Sequence, residues 1–290
     1  MSAVRVMSPD YNRAGRQRLV AVVTPVYRLP FTNDENISIR HLREHLGHFD
    51  RFMVGPEDLL RTATVTREYS DFRPLAFAAR HFESIYGYDQ LLLSESFYRA
   101  FADYEYILIH QLDCLVFSSN LEEWCQRGWD YVGAPWFWGY CNDPAGGLWA
   151  VGNGGLSLRR VASAIDVLTS KRVLQNTRAV GLMARHLGSV SSRKKRMIAL
   201  GSALFEHGDR TSRWLVRQFG RFGVNEDLFW AFGAWRLLPG FRVPPPQEAL
   251  GFSFETAPRY CFEANSARLP FGCHAWTKYD REFWERFLLK

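Results

Sequence analysis

The chain opens with an apolar, Val-rich run, Leu19–Pro25 (LVAVVTP), that a proline ends. A short run without polar alternation predicts a strand buried on both faces of a parallel sheet. A polar loop follows, in which Thr32, Asn33 and Asp34 are candidate helix caps. Ile39, Leu42, Leu46 and Phe49 then recur at helical spacing, which predicts an amphipathic helix. Arg51–Val54 (RFMV) predicts a second strand, stopped by Gly55-Pro56. A β-α-β opening predicts a parallel sheet with right-handed crossovers.

Phe72–Tyr86 reads as another helix. Tyr106–Ile109 (YILI) predicts a strand whose carboxyl end carries His110-Gln111-Leu112-Asp113, and Leu115–Phe117 continues extended. Ser119-x-x-Glu122 has the form of a capping box, opening a short helix that Gly128 closes. Asp130–Pro135 reads as a strand and Trp136-Phe137-Trp138 as a loop. The glycine-rich stretch Gly146–Gly155 leads into Leu156-Ser157-Leu158, then a helix with Val161, Ile165 and Leu168 aligned. Residues from about 170 to 222 are basic and poor in strand signals, and read as a mostly helical insertion. Another helix begins at Asn225, and a loop-rich tail follows. Residues 1–17 read as a flexible lead-in, so 18–290 form the expected domain, of α/β class.

Composition narrows the function. A chain of 290 residues buries roughly three quarters of its unfolded surface, enough for one large core. Aromatics reach 15%, with ten Trp, which suits either a large aromatic core or a pocket that stacks rings. The net charge of +6 favours an anionic ligand and gives little support to nucleic-acid binding. The five cysteines lack Cys-x-x-Cys spacing and read as buried thiols of a cytoplasmic protein. We expect neither a signal peptide nor a membrane span. Ser191–Phe205 (SSRKKRMIALGSALF) places a basic run before apolar residues, so residues 190–205 could lie on an anionic membrane or form a solvated face.

Four places could carry chemistry. Ligands of parallel sheets bind beyond the carboxyl ends of strands. Gln111 and Asp113 alternate to the same side there, and Asp113 could hold a divalent cation or cap the next turn. Gly152-Asn153-Gly154-Gly155 permits close backbone approach to a ligand, or makes a tight turn before a strand. In Asn225-Glu226-Asp227, Asn225 fits an N-cap with acids favoured in the first turn; one acid could instead be a general base. His274, in Pro270–Trp276 (PFGCHAW), is a surface His or a metal ligand needing a partner such as Asp113.

Taken together, YILIHQLDCLVF (106–117), WDYVGAPW (129–136), GNGGLSL (152–158), Asn225-Glu226-Asp227 and PFGCHAW (270–276) resemble an uncharacterised-domain family placed among GT-A glycosyltransferases. VAVVTPVY (20–27) and ENISIRHLREHL (35–46) fit it too, so the resemblance covers about residues 18–285 apart from the basic insertion. It implies a GT-A-like, Rossmann-like sheet and transfer of a sugar from a nucleoside-diphosphate sugar, UDP foremost, to a hydroxyl of a glycan or lipid-linked acceptor. By position, Asp113 matches the second Asp of the metal-binding Asp-x-Asp, while Gln111 replaces the first and removes one carboxylate. The implied metal, Mn²⁺ or Mg²⁺, falls to Asp113 and His274. Donor contacts fall to Thr24, Tyr27, Gln111, Asp113, Asn153, Gly154 and Gly155. Asp227 matches the base of inverting relatives and Glu226 the acid beside the acceptor, for which Trp136 and Trp138 offer stacking faces. Two other classes remain open: a non-catalytic sugar-nucleotide or glycan-binding module, and a nucleotidyltransferase.

Overall fold

The computed structural model describes residues 17–138, 142–170 and 225–289. The basic insertion expected from about 170, with its membrane-facing stretch 190–205, lies outside the described residues from 171 on, as do residues 1–16. The strands in chain order are β1 Arg18–Pro25, β2 Asp50–Pro56, β3 Arg73–Phe77, β4 Tyr104–His110, β5 Leu115–Val116 and β6 Tyr131–Val132. They continue with β7 Ala134–Phe137, β8 Leu148–Gly152, β9 Leu156–Arg160, β10 Ser253–Phe254 and β11 Gly272–Cys273.

Six of these form the central sheet in the order β3-β2-β1-β4-β9-β6, with the first four mutually parallel and β9 and β6 antiparallel to their neighbours. Alternation along β1 and β4 divides the core. Val20, Val22, Tyr106 and Leu108 pack on one face with Ile39, Leu42 and Leu46 of the Asn33–Leu46 helix. Ala21, Val23, Ile107 and Ile109 pack on the other, with Leu91, Phe97, Val161, Phe229 and Trp230 from four further helices. Burial on both faces explains why these strands read as unbroken apolar runs. The first helix starts as expected: Thr32 Oγ1 accepts from the Glu35 amide at 3.2 Å, and Glu35 Oε2 accepts from the Thr32 amide at 2.7 Å.

Three expectations are corrected. Phe72–Tyr86 is not one helix: Arg73–Phe77 pairs in parallel with Phe52–Pro56, and the helix begins at Ile85, capped by Ser84. Pro74 disfavours a helix interior but is tolerated in β3, the edge strand, where an amide N–H can be spared. The capping box expected at Ser119 does not form, because the helix starts one residue later, at Leu121, with Asn120 at the cap position. Trp136 and Phe137 belong to strand β7, paired with Ala150 and Leu148 of an unexpected strand β8. The glycines that masked β8 in the sequence include Gly152, where a side chain would run into the Trp136 ring.

The chain lays β2 and β3 to one side of β1 and β4 to the other. Between the carboxyl ends of β1 and β4 the winding direction switches, which opens a crevice above the sheet. A smaller sheet, β10-β11-β5, stands beside it: β10 and β11 are parallel, β11 and β5 antiparallel.

Candidate functional site

The small sheet brings three acidic or basic side chains together from distant parts of the chain. Pairing of Leu115 with Cys273 sets Asp113, just before β5, against His274, just after β11, and the Trp276 amide donates to the Asp113 carbonyl at 3.2 Å. His274 Nε2 lies 3.3 Å from Asp113 Oδ1. On the other edge of β11, the His274 amide donates to the Phe254 carbonyl, which puts Glu255 Oε1 3.1 Å from His274 Nδ1. Burial opposes charge on this imidazole, but the hydrogen bonds to Asp113 and Glu255 outweigh it and push His274 up to about 10. Burial likewise works against the Asp113 carboxylate, and the His274 bond holds it below its ordinary range.

Gly155 explains how the ring fits. A Cβ there would collide with His274 Cδ2 and Nε2, so the glycine makes the floor on which the imidazole lies. The Gln111 amide donates to the Gly155 carbonyl at 2.9 Å, tying the end of β4 to this floor. Asn153 adopts φ +80°, a left-handed conformation, and its Oδ1 accepts from the Gly155 amide at 2.8 Å. The Tyr131 hydroxyl donates to the Asn153 carbonyl at 2.9 Å. Among the described residues, Asn153 Nδ2 and Thr24 Oγ1 are buried without a partner. Tyr106, His110 and Trp276 also have buried polar atoms without a protein partner, so these two atoms are free to bond a polar ligand or water without by themselves marking a site.

The Glu226–Phe232 helix supplies the remaining acids. Asn225 stands at its cap position, but its side chain makes no capping bond. Glu226 receives both ends of Arg159: Nη1 donates to Oε2 at 2.9 Å and Nη2 to Oε1 at 2.7 Å. Arg159 also donates to Ser157 Oγ and the Tyr98 hydroxyl. Gly154 lies against the Glu226 carboxylate, where a side chain would strike Oε1. Asp227, 8% exposed, has no such cation among the described residues. Burial, then the Glu226 and Glu255 charges, push it up from 3.8 to about 8.

The other expected residues are placed as follows. Tyr27 is 61% exposed at the carboxyl end of β1, with the Arg28 guanidinium over its ring. Trp136 is buried against Phe232, so its ring faces the core, whereas Trp138 is exposed and stacks on Trp149 at 5.5 Å. Glu255 and Arg159 were missed by sequence reading. Glu255 follows a two-residue strand that only pairing with β11 defines, so it carried no local signal; Arg159 sits in LSLRR, where alternation turns it inward.

Among the described residues, no group of three His, Cys, Asp or Glu is arranged as a metal cage. Asp113 Oδ1 and His274 Nε2 nevertheless form an adjacent oxygen and nitrogen pair, with Glu255 on the far ring nitrogen. A carboxylate on the second nitrogen is how a ligating imidazole is commonly oriented. Between two carboxylates the imidazole keeps its proton at neutral pH, so that donor set fits a divalent cation once Nε2 has given the proton up, the other ligands coming from phosphate and water.

The class these features define is an α/β protein with an acid-rich site at the carboxyl edge of a largely parallel sheet. Residues 71–274 match the family described as "Protein of unknown function (DUF5672)", and the chain belongs to that family. No curated protein matches the sequence. Its structure is similar to that of the glycosyltransferase GlyE of Streptococcus pneumoniae TIGR4, at 10% identity, 94% of this chain and TM-score 0.39. The chain spans 61% of the length of that structure. It is also similar to the galactosyltransferase LgtC in complex with donor and acceptor sugar analogs, at 12% identity, 93% of this chain, 96% of that one and TM-score 0.44. Mouse xyloside xylosyltransferase 1 gives 10% identity, 89% and 97% coverage and TM-score 0.45.

Proposed function

We propose that the protein is a glycosyltransferase that moves a sugar from a nucleoside-diphosphate sugar, UDP foremost, to a hydroxyl of a glycan or a lipid-linked acceptor. The observation that carries this reading is the meeting of Asp113 and His274 over the Gly155 floor beside the switch between β1 and β4, with the neighbouring Gly154 against Glu226, the residue before Asp227. Residues 18–290 act together as the catalytic unit. Asp113 and His274 would hold Mn²⁺ or Mg²⁺, which when bound supplies positive charge against the departing diphosphate.

The chain's own residues have distinct tasks. Thr24, Tyr27, Gln111 and Asn153 line the donor side, where the unpartnered Thr24 Oγ1 and Asn153 Nδ2 can bond polar groups of the donor. Asp227, once ionised, takes the proton from the acceptor hydroxyl; the raised value makes it a stronger base than an ordinary carboxylate. The hydroxyl oxygen then bonds to the anomeric carbon as the bond to the diphosphate breaks, with inversion. Glu226 borders the acceptor with its oxygens already held by Arg159. Trp138 offers the acceptor sugar an aromatic face, and Trp136 supports that wall from behind.

The test is release of nucleoside diphosphate from UDP- and GDP-sugars with and without Mn²⁺, using wild type and Asp113→Ala. Metal-dependent turnover lost in the variant supports the reading. Donor binding without turnover across a broad acceptor panel would favour a binding module, to which Gln111 in place of a carboxylate points. A product that keeps the donor's anomeric configuration by NMR would overturn the inverting step.

A further inference from the structure

Two hydrogen bonds meet on a buried imidazole that the proposed reaction does not use. His41, in the Asn33–Leu46 helix, is 1% exposed. Its Nδ1 lies 2.9 Å from the Val116 carbonyl at the end of β5, and its Nε2 lies 3.1 Å from the Leu289 amide. A carbonyl can only accept and an amide N–H can only donate. The two partners therefore fix a neutral ring with its proton on Nδ1 and a lone pair on Nε2. Residues 281–289 form a strap across this helix. Arg281 grips its first turn, donating to both Asp34 oxygens at 2.8 and 2.9 Å. Phe117, just past β5, stacks on Trp284 at 5.5 Å and meets the His41 ring edge-on at 5.9 Å. The Leu289 bond fastens the far end of the strap.

We infer that His41 is a proton-operated latch: its neutral ring holds Leu289 and the end of the strap, and a proton on Nε2 releases them. Protonation sets an N–H against the Leu289 N–H, so the acceptor is gone and two donors face each other. The Val116 bond survives, because Nδ1 donates in both forms. Burial holds His41 below its ordinary 6.5, with the Val116 bond opposing. Undocking uncovers the ring and lets it return towards that value. The latch is thus fully closed above 6.5 and loosens as pH falls below it. Among neighbouring charges, His45 and Arg40 of the same helix also oppose a proton on the ring. His110, which alternates with Tyr106 and Leu108 to the same side of β4, is held down to about 4 by burial and stays neutral over this range. β5 presents only Leu115 and Val116. In the strap, Glu285 is paired with Arg281, and Arg286 lies over the Phe283 and Phe287 rings.

The experiment is amide hydrogen exchange of Leu289 by NMR from pH 7 to pH 5, corrected for the intrinsic pH dependence, on wild type, His41→Gln and His45→Gln. In wild type we expect opening at Leu289 to rise by up to about tenfold per pH unit below 6.5, the limit for one linked proton. The amides of β1 and β4 should keep their protection. His41→Gln has a donor and an acceptor but no charge to gain, and should lose the pH dependence; His45→Gln should keep it. Imidazole nitrogen shifts of wild type at pH 7 should report the proton on Nδ1. Opening at Leu289 that ignores pH, or a neutral ring with its proton on Nε2, would overturn the inference. So would loss of Leu289 protection only in step with β1 and β4, since the strap would then have no motion of its own. None of these readouts involves a nucleotide, so the latch stands or falls apart from the proposed function.

Discussion

Arg159 and Glu226 meet as a two-pronged pair, both side chains almost wholly buried, linking β9 to the first turn of the helix that carries Asp227. Two charges taken from water need each other: removing one leaves the other buried and unpaired. Glu226→Gln should therefore lower stability by about 3–5 kcal/mol. The double variant Arg159→Met/Glu226→Leu should recover most of that loss, since an apolar pair of similar volume removes both desolvation costs. Urea unfolding of the three proteins measures this, and a double variant as unstable as the single would count against it.

Asp227 has the opposite problem, a buried acid without a cation among the described residues. Its folded value of about 8 lies above the ordinary 3.8, so the folded chain holds this proton to higher pH than the unfolded chain does. Its contribution to stability is thus lost as pH rises from about 4 to about 8, and is level beyond. Asp227→Asn, which cannot ionise, should be more stable than wild type at pH 8 by about 1–3 kcal/mol. The advantage should shrink towards pH 4, and melting curves across that range check the sign.

In the proposed reaction the same proton governs turnover. If Asp227 is the base, the rate should rise with pH towards a plateau above about 8, and Asp227→Asn should lose roughly 10²–10⁴-fold. A variant that keeps wild-type kcat would remove Asp227 from the mechanism.

Glu255 holds the far nitrogen of His274, and Gly155 gives the ring its floor. Glu255→Gln should lower the titration midpoint of His274, followed by imidazole NMR, because a charged partner is lost. It should also weaken Mn²⁺ binding roughly 10–100-fold, the usual effect of removing an orienting carboxylate. Gly155→Ala should be worse, since its methyl displaces the ring itself. Wild-type Mn²⁺ affinity in both variants would argue against His274 as a ligand.

The parallel half of the sheet was legible because β1 and β4 are buried on both faces and leave an unbroken apolar record. The edge was not. β3 is partly exposed, contains Pro74, and owes its conformation to pairing with β2, a tertiary contact that local spacing does not encode. At the site, Asp113, Gly155 and His274 could be named because chemistry concentrates in recognisable short motifs. Glu255 and Arg159 could not, because their importance comes from partners 19 and 67 residues away in sequence.

The three-stranded sheet β10-β11-β5 has a consequence for how the molecule is made. Its strands contribute two residues each, and it closes a connection from position 115 to position 273. A ribosome that has released β4 has therefore made the edge of the crevice but not its charge: Asp113 waits for Glu255 and His274, which emerge more than a hundred residues later. Closing so long a loop is slow compared with forming local contacts. The central sheet can thus assemble early, while the acid–imidazole cluster remains unmade until β10 and β11 have emerged.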